Sequence, residues 1–437
     1  MAISGDGQSP LLESLRALGR PLRSGGDLDP LLERLAGARL VMLGEASHGT
    51  SEFYIWRAAI SRRLIEEHGF DFVAVEGDWP DCYRINRYVK AYPESGERAE
   101  RVLHGFDRWP TWMWANWETV AFAEWLRRHN DVRPARQSGF YGLDMYSLWE
   151  SLDAIIGHVQ RDDPRSLALA ERVFHCFQPY GRDEQQYARH AVSTDRDCAD
   201  EVIELLLRLV HRRPRFDSDP EGEFDAEQNA HVMVNAERYY RTMMTAGAGS
   251  WNLRDTHMME TLNRLMQYHG PDSRGIVWAH NTHVGDARAT DMRHQGMFNI
   301  GQLAREEWGA DRVRLVGFGS HRGSVIAGRS WGGARQKMAV PEAPAHSWEG
   351  LMHLALGGDS LLLLDDGAAY PTFHQPRGHR AIGVVYNPER EQGNYVPTEL
   401  AQRYNAFMHL EETRALHPLH VEAAGDVSPP DTYPWGF

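Results

Sequence analysis

Residues 43–57 read LGEASHGTSEFYIWR. The stretch closes an apolar run, RLVMLGE (39–45), breaks on small residues, and continues as SEFYIWRAAISRRLIEE (51–67), where apolar residues recur at helical spacing. Strand, glycine-flanked turn and helix make the unit from which parallel sheets are built. This unit also carries an acid, Glu45, a histidine, His48, and an arginine, Arg57. On a helix of about 3.6 residues per turn, Phe53, Trp56, Ile60 and Leu64 form the apolar face. Arg57 falls inside that face, whereas Arg62 points away. A guanidinium keeps its charge when buried and needs acid partners, for which Glu45 and Glu76 are the candidates.

Similar strands follow outward from this unit. FDFVAVEGD (70–78), GFYGLD (139–144) and RGIVWAHN (274–281) are short apolar runs, with helix-like stretches at 81–90 and 112–129 between the first two. Near-continuous apolar strands separated by helices predict a parallel sheet covered on both faces. From 146 to 270 the strand signal stops. Leu148, Leu152, Ile155 and Ile156, then Val202, Leu205, Leu206 and Leu209, keep helical spacing, as do Met258, Leu262 and Leu265. This predicts an insertion of four or five helices, with a polar loop at 212–225. Beyond it, RVRLVGFGS (312–320), SVIAGRS (324–330), KMAVPEA (337–343), SLLLLDD (360–366) and AIGVVYN (381–387) read as strands, and 347–357 as a helix. Their close spacing predicts an antiparallel part. The expected fold is α/β: a largely parallel central sheet covered by helices, interrupted by an all-helical insertion, with mixed strands toward the C-terminus. The expected organisation is a flexible segment over 1–27 with a short helix near Leu11–Leu18, a first α/β part over 28–145, the insertion over 146–270, and a second α/β part over 271–437.

Composition bounds the function. The chain has 437 residues, 42% hydrophobic and 25% charged, with a formal net charge of −14. That acidity opposes sequence-independent binding to nucleic acid or to an anionic membrane. The three cysteines, Cys82, Cys176 and Cys198, form no CxxC pair, so neither a disulfide framework nor a thiolate zinc site is expected. No apolar run reaches membrane-spanning length, and the first residues lack a long apolar stretch, which predicts a cytoplasmic location.

The chemistry gathers where the strands stop. The first four end at Glu45, Glu76, Asp144 and His280. In open α/β sheets, ligands bind at that carboxyl edge. One acid after a strand is commonly a helix cap, but four polar groups at the same relative position point to a single crevice. WAHNTHVGD adds His283 to His280, and histidine, titrating near neutrality, is the usual general base. In RWPTWMWANWETVAFAEW, Trp117 and Trp125 read as helix core, while Trp112 and Trp114 are candidates to line a hydrophobic mouth.

The blocks GEASHGTSEFYIWR, VAVEGDWPDCYRINRY, GFYGLDMYS, NLRDTHM, WAHNTHVGD and YNAFMHLEETRALHPL, in that order, resemble the erythromycin esterase family. The resemblance spans roughly residues 30–420. It implies a hydrolase that opens a macrolide lactone or related small-molecule ester, with His48 activating water and Glu45, Arg57, Glu76 and one or both of His280 and His283 completing the site. It also implies that Arg254 of NLRDTHM reaches the cleft, although Arg254 and Asp255 alone read as a surface pair; Arg254 and Asp144 are the polar candidates for binding substrate. No GxSxG elbow argues for a serine nucleophile, and no cofactor motif is present. Two alternatives use the same residues: a metal-dependent hydrolase, disfavoured because no HExxH occurs and Arg57 already neutralises an acid, and a non-catalytic ligand-binding protein.

Overall fold

The computed structural model describes residues 9–162, 164–194, 197–210, 219–243, 248–367 and 371–420. Its strands are β1 (Gly19–Pro21), β2 (Leu40–Leu43), β3 (Phe72–Asp78), β4 (Gly139–Asp144), β5 (Gly275–Trp278), β6 (Val313–Gly328), β7 (Arg335–Val340), β8 (Ser360–Leu363), β9 (Arg377–Arg380), β10 (Tyr395–Thr398) and β11 (Ala406–Thr413). Nine of these form one sheet in the order β1-β8-β11-β6-β2-β5-β3-β4, with β7 paired to β6, while β9 and β10 pair separately. From β11 through β4 every neighbouring pair is parallel. The antiparallel part is β8 on β11, β1 on β8 and β7 on the second half of β6. This is the mixed α/β architecture expected from the sequence.

Strand alternation sorts the core into two layers. Leu40, Met42, Phe72, Ala74, Tyr141, Leu143 and Val277 face one side, where the helical insertion packs. Val41, Leu43, Val73, Val75, Phe140, Ile276 and Trp278 face the other, against helices Ser51–His68 and Trp117–Asp131. Between β4 and β5 the described residues hold helices Leu148–Asp162, Pro164–Phe177, Glu184–Thr194, Ala199–Val210, Gly222–Thr242 and Gly249–Tyr268, and no strand.

Several expectations need correction. From Ser9 on, the segment expected to be flexible is built into the fold: Leu11 and Leu15 of helix Ser9–Leu18 are fully buried, and β1 closes the sheet edge. RVRLVGFGS and SVIAGRS are one continuous strand, β6, which passes through Gly323 without a break. AIGVVYN forms no strand; it makes only single bridges, Ile382 to Ser47 and Val385 to Gly328, and the strand lies just before it as β9. The sequence reading missed β11, whose apolar pattern is interrupted by His409, Glu411 and Glu412. The predicted loop at 212–225 is helical from Gly222, and its residues 212–218 lie outside the described residues. Cys176 and Cys198 are joined by a disulfide between helix Pro164–Phe177 and the start of Ala199–Val210, against the expectation of none; their wide spacing gave no motif. Among the described residues no helix is long and apolar enough to cross a membrane.

Candidate active site

The turn between β2 and helix Ser51–His68 is wedged against its neighbours. A Cβ on Gly44 would lie 2.1 Å from Asn281 Oδ1, and one on Gly49 would lie 1.9 Å from the Ile326 carbonyl oxygen. The small residues are therefore a packing requirement, and they hold His48 against the exit of β5. The Tyr54 hydroxyl fixes the turn by donating to the His48 carbonyl at 3.0 Å and lying 2.8 Å from that of Met113. One turn further along, Arg57 is wholly buried. Its guanidinium lies 2.7 Å from Glu45 Oε2 and over the Tyr54 and Trp278 rings, at 4.3 and 5.1 Å. The acid partner is Glu45. Glu76, the other candidate, is engaged elsewhere.

Because β2, β5, β3 and β4 are adjacent in that order, their carboxyl ends meet. Glu45 Oε1 lies 2.9 Å from His48 Nδ1. Glu76 Oε1 accepts from Arg254 at 2.8 Å and lies 3.4 Å from His283 Nε2, and its Oε2 accepts the His280 backbone N–H at 2.8 Å. Arg254 also donates to both Asp144 oxygens, at 3.0 and 2.6 Å. His283 Nδ1 faces both oxygens of Asp255, at 2.9 and 3.0 Å, and its ring stacks on Trp251 with centroids 4.6 Å apart. The His48 and His280 rings are 4.9 Å apart.

Among the described residues of this cluster, His280 is the histidine that leaves a ring nitrogen buried without a hydrogen bond, alongside nitrogens of Arg57 and Oε2 of Glu45. Its Nδ1 lies 3.3 Å from the Thr282 backbone N–H and accepts from it, so the neutral ring carries its proton on Nε2. That Nε2 is buried and makes no hydrogen bond. Burial first, then His48, push the His280 pKa well below the ordinary imidazole value, while Glu76 and the Ala46 carbonyl oppose them. For His48 the balance is reversed: burial disfavours the charged ring, but Glu76 and the Glu45 hydrogen bond hold it above the ordinary value. Burial also opposes the charge on Glu76, yet His283, His48 and Arg254 hold its carboxyl far below the usual range. Two histidines in one cluster are thus driven in opposite directions, the arrangement that separates acid and base roles.

A cleft opens above this cluster. Glu76, Asp144 and Arg254 form its polar floor, and Trp109, Trp114 and Trp331 are among its walls. His48, His280 and His283 adjoin Glu76 from the protein side and are almost wholly buried. Of the expected mouth residues, Trp114 lines the cleft, whereas Trp112 is buried with its ring against Trp109. Trp117, read as helix core, is 49% exposed, while Trp125 is buried. Arg254 and Asp255 are a buried pair of polar anchors and not a surface pair. Sequence reasoning missed Asp255 as a partner of His283, and it missed Trp251 and Asp78. NLRDTHM contained the signal for Asp255, but the partner lies 28 residues on.

Fold and site together define an α/β protein with an acid–histidine–arginine cluster at the carboxyl edge of a parallel sheet. The erythromycin esterase family profile matches residues 65–413, most of the chain. The chain belongs to the erythromycin esterase family. Glu45, His48 and Arg57 precede the matched range, so their place in the site rests on geometry. Erythromycin esterase type II of Escherichia coli is 20% identical over 69% of this chain and 73% of that protein. A putative hydrolase, YbfO, of Bacillus subtilis is 21% identical over 60% of this chain and 59% of its own length. Among solved structures, a succinoglycan biosynthesis protein superposes with a TM-score of 0.77 at 20% identity, covering 95% of this chain and all of that one. A mutant of the erythromycin esterase EreC in its open conformation gives 0.63 at 18% identity, covering 92% and 96%.

Proposed function

We propose that this protein is a carboxylic ester hydrolase that opens a lactone or related ester by direct attack of water. His48 is the general base. Its Nδ1 is tied to Glu45, so a neutral ring presents an unprotonated Nε2 to a water molecule. Glu45 orients the ring and stabilises its charged form, and Arg57, buried against two aromatic rings, fixes Glu45 and does not reach substrate. The observation that carries the reading is the His280 Nε2–H, a buried donor beside the base that makes no hydrogen bond of good geometry, the Ala46 carbonyl being the acceptor near the ring. A buried donor in that state is costly unless something arrives to accept its hydrogen bond, and a carbonyl oxygen gaining charge is such an acceptor. Arg254 and Asp144 on the cleft floor face the rest of the substrate, and the indole rings supply an apolar wall for a bulky one.

A metal-dependent hydrolase fits this cluster less well. Glu45 and Glu76 are each within 2.8 Å of a guanidinium nitrogen, so a divalent ion would have to displace an arginine from its acid. A cytoplasmic location is part of the proposal. The Cys176–Cys198 disulfide bears against it, because such bonds persist mainly in oxidising compartments.

Mass spectrometry of products from a panel of macrolides and simple esters tests this reading. The expected result is gain of one water on a ring-closed ester, lost in His48→Ala with kcat reduced by ~10²–10⁴-fold and the circular dichroism spectrum unchanged. Near-native turnover in that variant overturns the assignment of the base. Tight binding without turnover across the panel favours a ligand-binding protein instead.

A further inference from the structure

On the opposite flank of the sheet a second histidine–acid cluster has no part in the proposed chemistry. β6 and β11 run side by side in parallel, with His409 opposite Gly319 and Glu412 opposite Arg322, which sets Glu411 beside His321. Helix Trp348–Leu356 packs over them and brings His353. One ligand atom from each of His321, His353 and Glu411 lies within 4.8 Å of the other two. The two imidazoles are stacked face to face, 3.8 Å between centroids and 4° from parallel, so one ring must turn for both to ligate a single ion. His353 Nδ1 lies 2.6 Å from Glu411 Oε1.

The geometry points to a binding site for one divalent transition-metal ion of the zinc class, held by His321, His353 and Glu411. The polar atoms left over support this. His321 is 3% exposed, and its Nδ1 is buried without a hydrogen bond; Glu411 Oε2 is buried in the same state. His409 is wholly buried, lies 3.6 Å from Glu411 Oε2, and has neither ring nitrogen bonded. His409 Nε2 and Glu411 Oε2 face each other, which leaves His321 Nδ1 and His409 Nδ1 as buried atoms without a hydrogen bond, a costly state that ordinarily marks an ion or ordered water.

The chemistry of the donors selects the class of ion. Two imidazoles and one carboxylate suit zinc, nickel or cobalt, whereas calcium and magnesium require oxygen shells and thiolate-seeking ions find no sulfur here. Three protein ligands leave a further coordination position for water, and His353, 39% exposed, opens a path from solvent. The charges next to the site do not compete for it. Arg322 follows His321 but projects from the other side of β6, where Glu342 and Glu412 hold it. Bound there, the ion joins the two strands to the helix. The same helix carries Glu349, which bonds His379 Nδ1 at 2.5 Å; His379 Nε2 in turn lies 3.1 Å from Asn281, the chain neighbour of His280.

Tag-free protein, dialysed against chelator and titrated calorimetrically with Zn²⁺ and Co²⁺, tests the site. One equivalent of Zn²⁺ is expected to bind and raise Tm, and Co²⁺ to give the visible absorption of a nitrogen- and oxygen-ligated ion. His353→Ala, at a half-exposed position, and Glu411→Gln are each expected to weaken binding at least about tenfold and to abolish the Tm rise. Absence of a stoichiometric site in the unmodified protein overturns the proposal. So does unchanged affinity in both variants, or loss of the ion in His48→Ala with retention in His353→Ala, which would move it to the other cluster.

Discussion

At the scale of single residues, charge placement governs the site. In the proposed reaction His48 serves as a base only when unprotonated, and Glu76 and Glu45 outweigh burial to hold its proton more firmly than a free imidazole does. Activity therefore falls as pH drops through a value above the ordinary histidine pKa of about 6.5. Glu45→Gln removes part of that hold, so the acid limb of kcat/KM is expected to move to lower pH while the maximum rate falls; a pH–rate profile of both proteins measures it. Asp78 shows the opposite imbalance. Burial, with Asp144, Asp81 and Glu150 adding to it against Arg108, raises its carboxyl to about 8. An acid with a raised folded-state pKa binds more protons folded than unfolded, so its cost to stability accumulates as pH rises from about 4 towards 8. Asp78→Asn is expected to raise Tm at pH 8 and to have little effect at pH 4.

At the scale of elements, the strand–turn–helix unit that opens the sequence works because its turn is thin. Gly49 sits against the backbone of Ile326 in β6, with no room for a methyl group and no flexible side chain to yield. Gly49→Ala is expected to cost about 1–3 kcal/mol in denaturant unfolding and to lower kcat by displacing His48. Most of this unit was legible in its sequence, since the apolar run, the glycines and the buried-face arginine each follow from local pattern. The second half of the site was less so. His280 and His283 were visible as histidines after a strand, but nothing local distinguishes the one that pairs with Asp255 from the one left with an unpartnered nitrogen. That difference arises from helix Gly249–Tyr268, which carries Asp255 and Trp251 onto His283.

At the scale of the whole molecule, the insertion and the sheet meet through Arg254. From a helix of the insertion it bonds Asp144 at the end of β4, Glu76 in β3, and the ring of His283. Lysine offers one compact charge where the planar guanidinium spans two carboxylates. Arg254→Lys is expected to lose about 3–5 kcal/mol of stability, read as a fall in the denaturation midpoint, together with turnover. Normal stability in that variant would show that the carboxylates find other partners.

The sequence by itself determined the first four parallel strands, the helical insertion and the residues at those strand ends, because apolar periodicity and glycine turns are local properties of the chain. It also placed Arg57 on the apolar face of its helix, where a guanidinium either pairs with a buried acid or snorkels to the edge, and the fold buries it. Tertiary structure alone decided the partners: Arg57 with Glu45, Arg254 with Glu76 and Asp144, His283 with Asp255, and the meeting of His321, His353 and Glu411. Pairing between buried charges depends on strand order and helix packing, and these join residues up to 178 positions apart in the Glu76–Arg254 contact. No local pattern encodes a separation of that length.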